Sequence, residues 1–187
     1  MIETTYLTSH FLIAMPAMGD PNFSRTVTYM CQHTEEGALG IVINRPMNMQ
    51  LGEIMLQMEI SVRDEAVNKI PVYGGGPVQP ERGFIIHTPI GQWDSSLTVS
   101  EGIALTTSRD ILESIAAGEG PERFLVALGY AGWGEGQLER EIIENAWLNA
   151  PAENSILFDL PAEKRWKSAA GQMGIDLDLL SGQAGHS

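Results

Sequence analysis

The chain has 187 residues and a mass of 20.4 kDa, enough for one domain with a real core and too little for two of ordinary size. With 43% hydrophobic and 19% charged residues it is neither disordered nor fibrous, and 24 acidic against 11 basic residues give a formal charge of −13, which repels phosphate backbones and anionic lipid. The single cysteine, Cys31, excludes an intrachain disulfide and fits a reducing compartment.

In chain order, the first six residues carry no basic region, and the apolar run 11–15 stops at Pro16, so no secretory leader is expected. Residues 11–16, 40–46 and 83–89 share one form, an unalternating apolar run closed by proline, and each predicts a buried strand. The second and third match position for position as Gly, three apolar residues, a polar one, any residue and Pro; they read as two core strands with like ends rather than as duplicated halves. Residues 26–32 predict a strand joined by a turn at Glu35-Glu36-Gly37 to the strand that follows. Residues 51–58 predict a helix, and Val72-Tyr73, 97–99 and 103–106 predict strands. Thr107 as N-cap with Asp110 three positions on approximates a capping box, opening a helix that buries Ile111, Leu112, Ile115 and Ala116 and stops at Gly118 and Gly120-Pro121. A strand is expected over 124–130, a helix over 137–145 with Leu138, Ile142 and Ile143 inward, and a strand over 156–158. The last helix starts near Pro161 and buries Ala162, Trp166, Ala169, Ala170 and Met173, with Lys164, Arg165 and Lys167 on its wet side. The small polar tail 181–187 is expected to fray.

Many short strands, hairpin-like links and few helices predict an α+β fold: a mixed, largely antiparallel curved sheet or barrel with flanking helices. It is expected to form one domain over 1–187, with an ordered core over 7–174. No stretch approaches the roughly 18 apolar residues of a membrane helix, so a cytoplasmic protein with no membrane partner is expected.

Four segments bear on chemistry. Residues 129–139 place a glycine-rich loop between a strand and a helix, a phosphate-cradling layout, but the spacing fits neither phosphate motif and Glu135, Glu139 and Glu141 crowd the helix start. The favoured reading is a tight turn that folds Trp133 back on the core. Gly74, Gly75 and Gly76 permit close approach of a backbone or a ligand, with Arg82 close behind. Cys31 and His33 share one face of a predicted strand, with Glu35 further along, so a histidine-activated thiol or a metal ligand set can be drawn there; neither spacing is diagnostic, and no metal is expected. Arg25, Arg45 (in Asn44-Arg45-Pro46), Arg82 and Arg109 fall at strand ends and helix starts, where clefts form in sheet proteins. No helix-turn-helix, zinc finger, nucleophile elbow or zinc-protease helix is present.

Phe11-Leu12-Ile13-Ala14-Met15-Pro16, Asp20-Pro21-Asn22-Phe23 with Arg25, residues 37–46, Tyr73-Gly74-Gly75-Gly76-Pro77-Val78, Arg82-Gly83-Phe84, residues 129–139, and Asn145, Trp147, Phe158 and Trp166 together resemble the AlgH/YqgE family, from about Leu7 to Gly174 and in the same order. The resemblance implies a bacterial cytosolic protein with a complex, barrel-containing fold, often labelled a transcriptional regulator, and brings no agreed catalytic residues. The charge and the lack of a reading helix then imply indirect action rather than DNA binding, which ranks last.

The expectation is therefore a non-enzymatic binding or regulatory module without a cofactor. Its cleft is lined by Arg25, Asn44, Arg45, Gly74, Gly75, Gly76 and Arg82 and takes a small anion or a partner protein's carboxylate. The alternative is a thiol-dependent enzyme using Cys31 and His33.

Overall fold

The computed structural model describes residues 6–184. Among these the chain builds β1 (His10–Ala14), β2 (Val27–Thr34), β3 (Gly37–Val42), β4 (Pro46–Gln50), α1 (Leu51–Gln57), α2 (Glu65–Asn68), β5 (Pro71–Gly74), β6 (Val78–Thr88), β7 (Ser96–Thr98), β8 (Ala104–Thr106), α3 (Arg109–Ala116), β9 (Arg123–Trp133), α4 (Gln137–Ile143), β10 (Trp147–Pro151), a π-helical turn (Ser155–Asp159), α5 (Ala162–Gly171) and α6 (Leu177–Ala184). The strands form one sheet in the order β10-β1-β2-β3-β9-β6-β8-β7, with β5 on β9 and β4 on β5. Every pairing is antiparallel except β5 with β9, and the sheet curls into a half-barrel, an α+β fold as the sequence predicts.

The spine is β9, because its 11 residues serve three neighbours. Along one edge it pairs with β6. The other edge is divided: β5 lies parallel to Val126–Leu128, and β3 lies antiparallel to Ala131–Trp133. Between those two stretches Gly75 carries the ladder, donating its N–H to the Leu128 carbonyl (2.8 Å) and accepting from the Val42 N–H (2.8 Å).

Three apolar clusters hold the layers together. Phe11, Tyr29, Ile41 and Phe84 pack together on the sheet, closed by Trp166, Ala169 and Ala170 of α5. Leu51 and Met55 of α1 and Ile111 and Ile115 of α3 pack on Ile85 and Val126. Leu12, Met30, Trp133, Leu138 and Trp147 form the third, beside α4. Burying side chains of this size stabilises by about 1.5–3 kcal/mol each, which is what fixes the helices on the sheet.

Several expectations need correcting. Residues 156–158 are not a strand: Ile156 and Leu157 both donate to the Glu153 carbonyl, Leu160 to Ser155, and the run forms the π-helical turn, since three apolar residues carry no period by themselves. Pro46 opens β4 rather than merely ending a strand. The N-cap of α3 is Ser108, because the Asp110 carboxylate takes the Ser108 hydroxyl and the N–H of Ile111 and Asp94 instead of capping back to Thr107. Ile143 is 80% exposed, one residue and about 100° round the helix from Ile142, which packs inward. Met173 is 51% exposed because α5 ends at Gly171, before the apolar stripe reaches it. Of the tail expected to fray, 181–184 continue α6 and 185–187 lie outside the described residues.

Candidate functional site

The loop over 20–25 is a local fold of its own. Asp20 accepts the N–H of Phe23 and Ser24 at its carbonyl and the N–H of Asn22 at its carboxylate, and Arg25 leaves the loop with a φ of +59°. Asn44 clips it to the sheet: its Oδ1 accepts from the Val27 N–H and its Nδ2 donates to the Arg25 carbonyl, both at 2.9 Å. Arg45 finishes the clip, donating from Nη1 to the Asn22 carbonyl (2.6 Å) and from Nη2 to the Ser24 carbonyl (2.8 Å), while its own carbonyl accepts from the Gly74 N–H. Burial pulls the Arg45 guanidinium below its usual range and Asp20 opposes that pull. The exposed Arg25 lays its guanidinium carbon 4.7 Å from the ring centroid of Trp166.

A third guanidinium reaches the backbone just before Asn44. Arg165 of α5 donates from Nη1 to the Ile43 carbonyl and from Nε to the Leu160 carbonyl (2.9 Å), and lies 5.0 Å from the Tyr73 ring centroid. It is only 4% exposed, not on the wet side where the sequence suggests it. The signal was present: Arg165 stands three residues after Ala162 and four before Ala169, on the stripe that α5 buries. None of Arg25, Arg45 and Arg165 makes an ion pair among the described residues, whereas Arg109, Arg123 and Lys167 do.

Arg165 also lines a cavity of about 350 Å³ with Ile70, Tyr73, Phe124, Leu125, Leu157 and Phe158, and Pro71, Glu122 and Arg123 complete the wall. Another cavity, of about 440 Å³, lies between α1, α3 and the sheet behind Met47, Met49 and Met58, but its charged lining residues, Glu81 and Arg109, are exposed.

The two glycine-rich segments pack against each other. A Cβ on Gly75 would stand 2.4 Å from the Gly129 carbonyl oxygen, one on Gly76 2.1 Å from the Tyr130 carbonyl carbon, and one on Gly129 2.4 Å from the Gly76 oxygen. At Gly74 an added Cβ would meet only ordinary contact, 3.8 Å from the Arg45 carbonyl oxygen. Thus β9 runs straight to Trp133, where the sequence suggests a turn, and Trp133 is buried from a strand position. Arg82 stands apart from the junction: it donates to Gln79 (3.3 Å) and Thr107 (3.5 Å) and lies 5.4 Å from the Phe84 ring centroid.

Cys31 and His33 do not form a pair. Cys31 is 1% exposed in the central cluster, its thiol directed at the Tyr29 carbonyl, and burial pushes its pKa up. His33 accepts the Leu7 N–H at Nδ1, so its other ring nitrogen carries the proton and donates to Glu139. Burial raises the Glu139 carboxyl, but the hydrogen bond from His33 and that from its own backbone amide more than offset this and hold it below the usual range. The β-bulge between Met30 and Gln32 interrupts the simple alternation that puts Cys31 and His33 together on paper. Among the described residues no three His, Cys, Asp or Glu side chains gather as metal ligands, and no helix is long and apolar enough to cross a membrane.

Comparison with known proteins agrees with this architecture along the whole chain. The AlgH-like family profile matches residues 11–178. A UPF0301 protein of Methylococcus capsulatus is 59% identical over 184 residues, covering 98% of each chain, and one of Thioalkalivibrio sulfidiphilus is 55% identical over the full length of both. The solution structure of the AlgH protein from Pseudomonas aeruginosa superposes with a TM-score of 0.81 at 50% identity, covering 100% of this chain and 99% of that one. A crystal structure of a Corynebacterium diphtheriae protein shares the fold at 19% identity, with a TM-score of 0.75 over 97% of this chain and 94% of that one. With matching sequence, length and sheet, the chain belongs to the AlgH-like family.

Proposed function

We propose that this protein is a non-enzymatic cytoplasmic binding module that acts in regulation through a small anionic ligand, or the carboxylate of a protein partner, rather than by gripping DNA. One observation carries the reading: the Arg165 guanidinium is held at the Ile43 carbonyl, the Arg45 guanidinium at the Asn22 and Ser24 carbonyls and that of Arg25 over Trp166, and none of the three makes an ion pair among the described residues of a chain with 24 acidic side chains. With acids so abundant, guanidinium groups that meet backbone carbonyls rather than carboxylates leave positive charge on an otherwise repulsive surface, and so a place where an anion is attracted. Asn44 and the Gly74–Gly76 backbone hold that place rigid. The sealed thiol of Cys31 has neither the access nor the neighbouring base that a nucleophile needs.

Titration calorimetry over mono- and dicarboxylates, sulfate and phosphate tests this. Binding without turnover is expected, weakened about tenfold or more in Arg45→Ala, the size that losing a charge-assisted contact gives. A DNA mobility shift at physiological salt that vanishes on reversing Arg25 and Arg45, or chemical conversion of a bound ligand, would overturn it.

A further inference from the structure

The geometry points to the cavity beneath Arg165 as a site for an apolar monocarboxylate, an aryl- or alkyl-carboxylic acid whose carboxylate meets the free edge of the guanidinium and whose body lies among the phenylalanine and leucine side chains. This rests on the reading of the protein as an anion-binding module and names the guest. Arg165 is fixed on three sides, by the Leu160 carbonyl at Nε, the Ile43 carbonyl at Nη1 and the Tyr73 ring. Its Nη2 amino group makes no hydrogen bond among the described residues and, although the residue is only 4% exposed and lines the cavity, it is not sealed from solvent. A cation largely withdrawn from water without a counter-charge is disfavoured, and carbonyl dipoles recover only part of that loss. A carboxylate arriving at Nη2 would supply the missing charge.

The walls select the rest of the guest. Leu125 and Leu157 are buried, Phe124, Phe158 and Ile70 half-buried, and the volume of about 350 Å³ suits one small ring or a short chain rather than a nucleotide. The charge count also favours a single negative charge. Arg123 is already paired with Asp159 at 3.1 Å, and exposed Glu122 would repel a dianion. Leu157 and Phe158 come from the π-helical turn, an irregularity that recurs at functional sites.

The test is calorimetry and methyl NMR on the full chain with phenylacetate, hexanoate, the neutral analogue phenylacetamide and inorganic phosphate. Phenylacetate or hexanoate is expected to bind and to shift the Leu125 and Leu157 methyls, with phenylacetamide at least about tenfold weaker because it lacks the charge. Arg165→Lys removes the planar fork and should abolish the preference, and Ile70→Trp fills the half-buried lip and should block binding even if the first variant folds poorly. Phosphate binding without carboxylate binding would overturn the monocarboxylate assignment and leave the anion-binding reading standing. Carboxylate binding that survives Ile70→Trp but is lost in Arg45→Ala would overturn the cavity as the site. Absence of binding by every anion would remove both.

Discussion

Trp133 donates its indole N–H to Oε1 of Glu141 over 3.0 Å, and the same oxygen accepts the indole N–H of Trp147 over 2.9 Å. One carboxylate of α4 thereby ties the end of β9 to the start of β10, and Gln137 holds its second oxygen at 2.8 Å. Both indoles are buried, at 6% and 3% exposure, so removing the acceptor leaves two donors dry. At about 1–3 kcal/mol per orphaned donor, Glu141→Leu should lose about 2–6 kcal/mol of stability. Glu141→Gln keeps an acceptor oxygen and should lose less than half as much. Urea unfolding followed by tryptophan fluorescence measures both; equal losses would mean that charge, not the shared oxygen, matters.

The mutual packing of Gly75–Gly76 and Gly129 makes a steep prediction. Gly76 combines a φ of +152° with backbone atoms 2.1 Å from any added Cβ, and the obstructing atoms belong to β9, which cannot yield without breaking its pairing. Gly76→Ala should therefore cost more than about 3 kcal/mol and give mostly insoluble protein. Gly83→Ala on the neighbouring strand, where nothing lies within 4 Å of the new methyl, should change stability by less than about 0.5 kcal/mol. Soluble yield and thermal unfolding of the two variants decide the matter.

Particular residues show how much of this was legible in the sequence. The strands around Phe11, Ile41 and Ile85 and the helix around Ile111 and Ile115 are written in local apolar pattern, and local pattern suffices for them. It places Arg25, Asn44, Arg45 and Gly74 at strand ends, and the hydrogen bonds that draw their backbones together are supplied by the tertiary fold. It misses β4 and β10, whose residues are polar or mixed and are recruited by pairing with β5 and β1. It misses Arg165, since a basic run looks solvated until the helix face is counted, and the carbonyls of Ile43 and Leu160 that make burial tolerable are supplied by the tertiary fold. The glycine segments at 74–76 and 129–132 look like two independent loops because their contact spans more than 50 residues, a separation no local pattern encodes.

Cys31 should behave as core. With 1% exposure, a pKa raised by burial and no imidazole beside it, the thiol should resist iodoacetamide under native conditions and react only as fast as the protein opens. Intact-mass spectrometry with and without urea reads this directly. Rapid, stoichiometric labelling of the folded protein would restore the thiol chemistry that the packing argues against.

His87 should give the folded state a pH dependence near neutrality. Its Nδ1 faces the Pro89 carbonyl at 3.0 Å, so that nitrogen carries the proton, and Nε2 accepts from the Thr106 hydroxyl, which in turn lies 2.9 Å from Ser96 Oγ. Burial pulls the His87 pKa below 6.5, and the Pro89 carbonyl only partly opposes it. Below 6.5 the unfolded chain takes up a proton that the folded chain refuses, so His87 removes stability as pH falls through that window, until the folded group also titrates. One proton limits the slope to about 1.4 kcal/mol per pH unit. Carboxylates with depressed pKa values, such as Glu139, lose their contribution only at lower pH, below the His87 window. Urea midpoints taken from about pH 7.5 down to about 5.5 should therefore fall for the native sequence and flatten in His87→Gln, which keeps a polar partner for Thr106 without the titration. An unchanged slope in that variant would assign the pH dependence to another group.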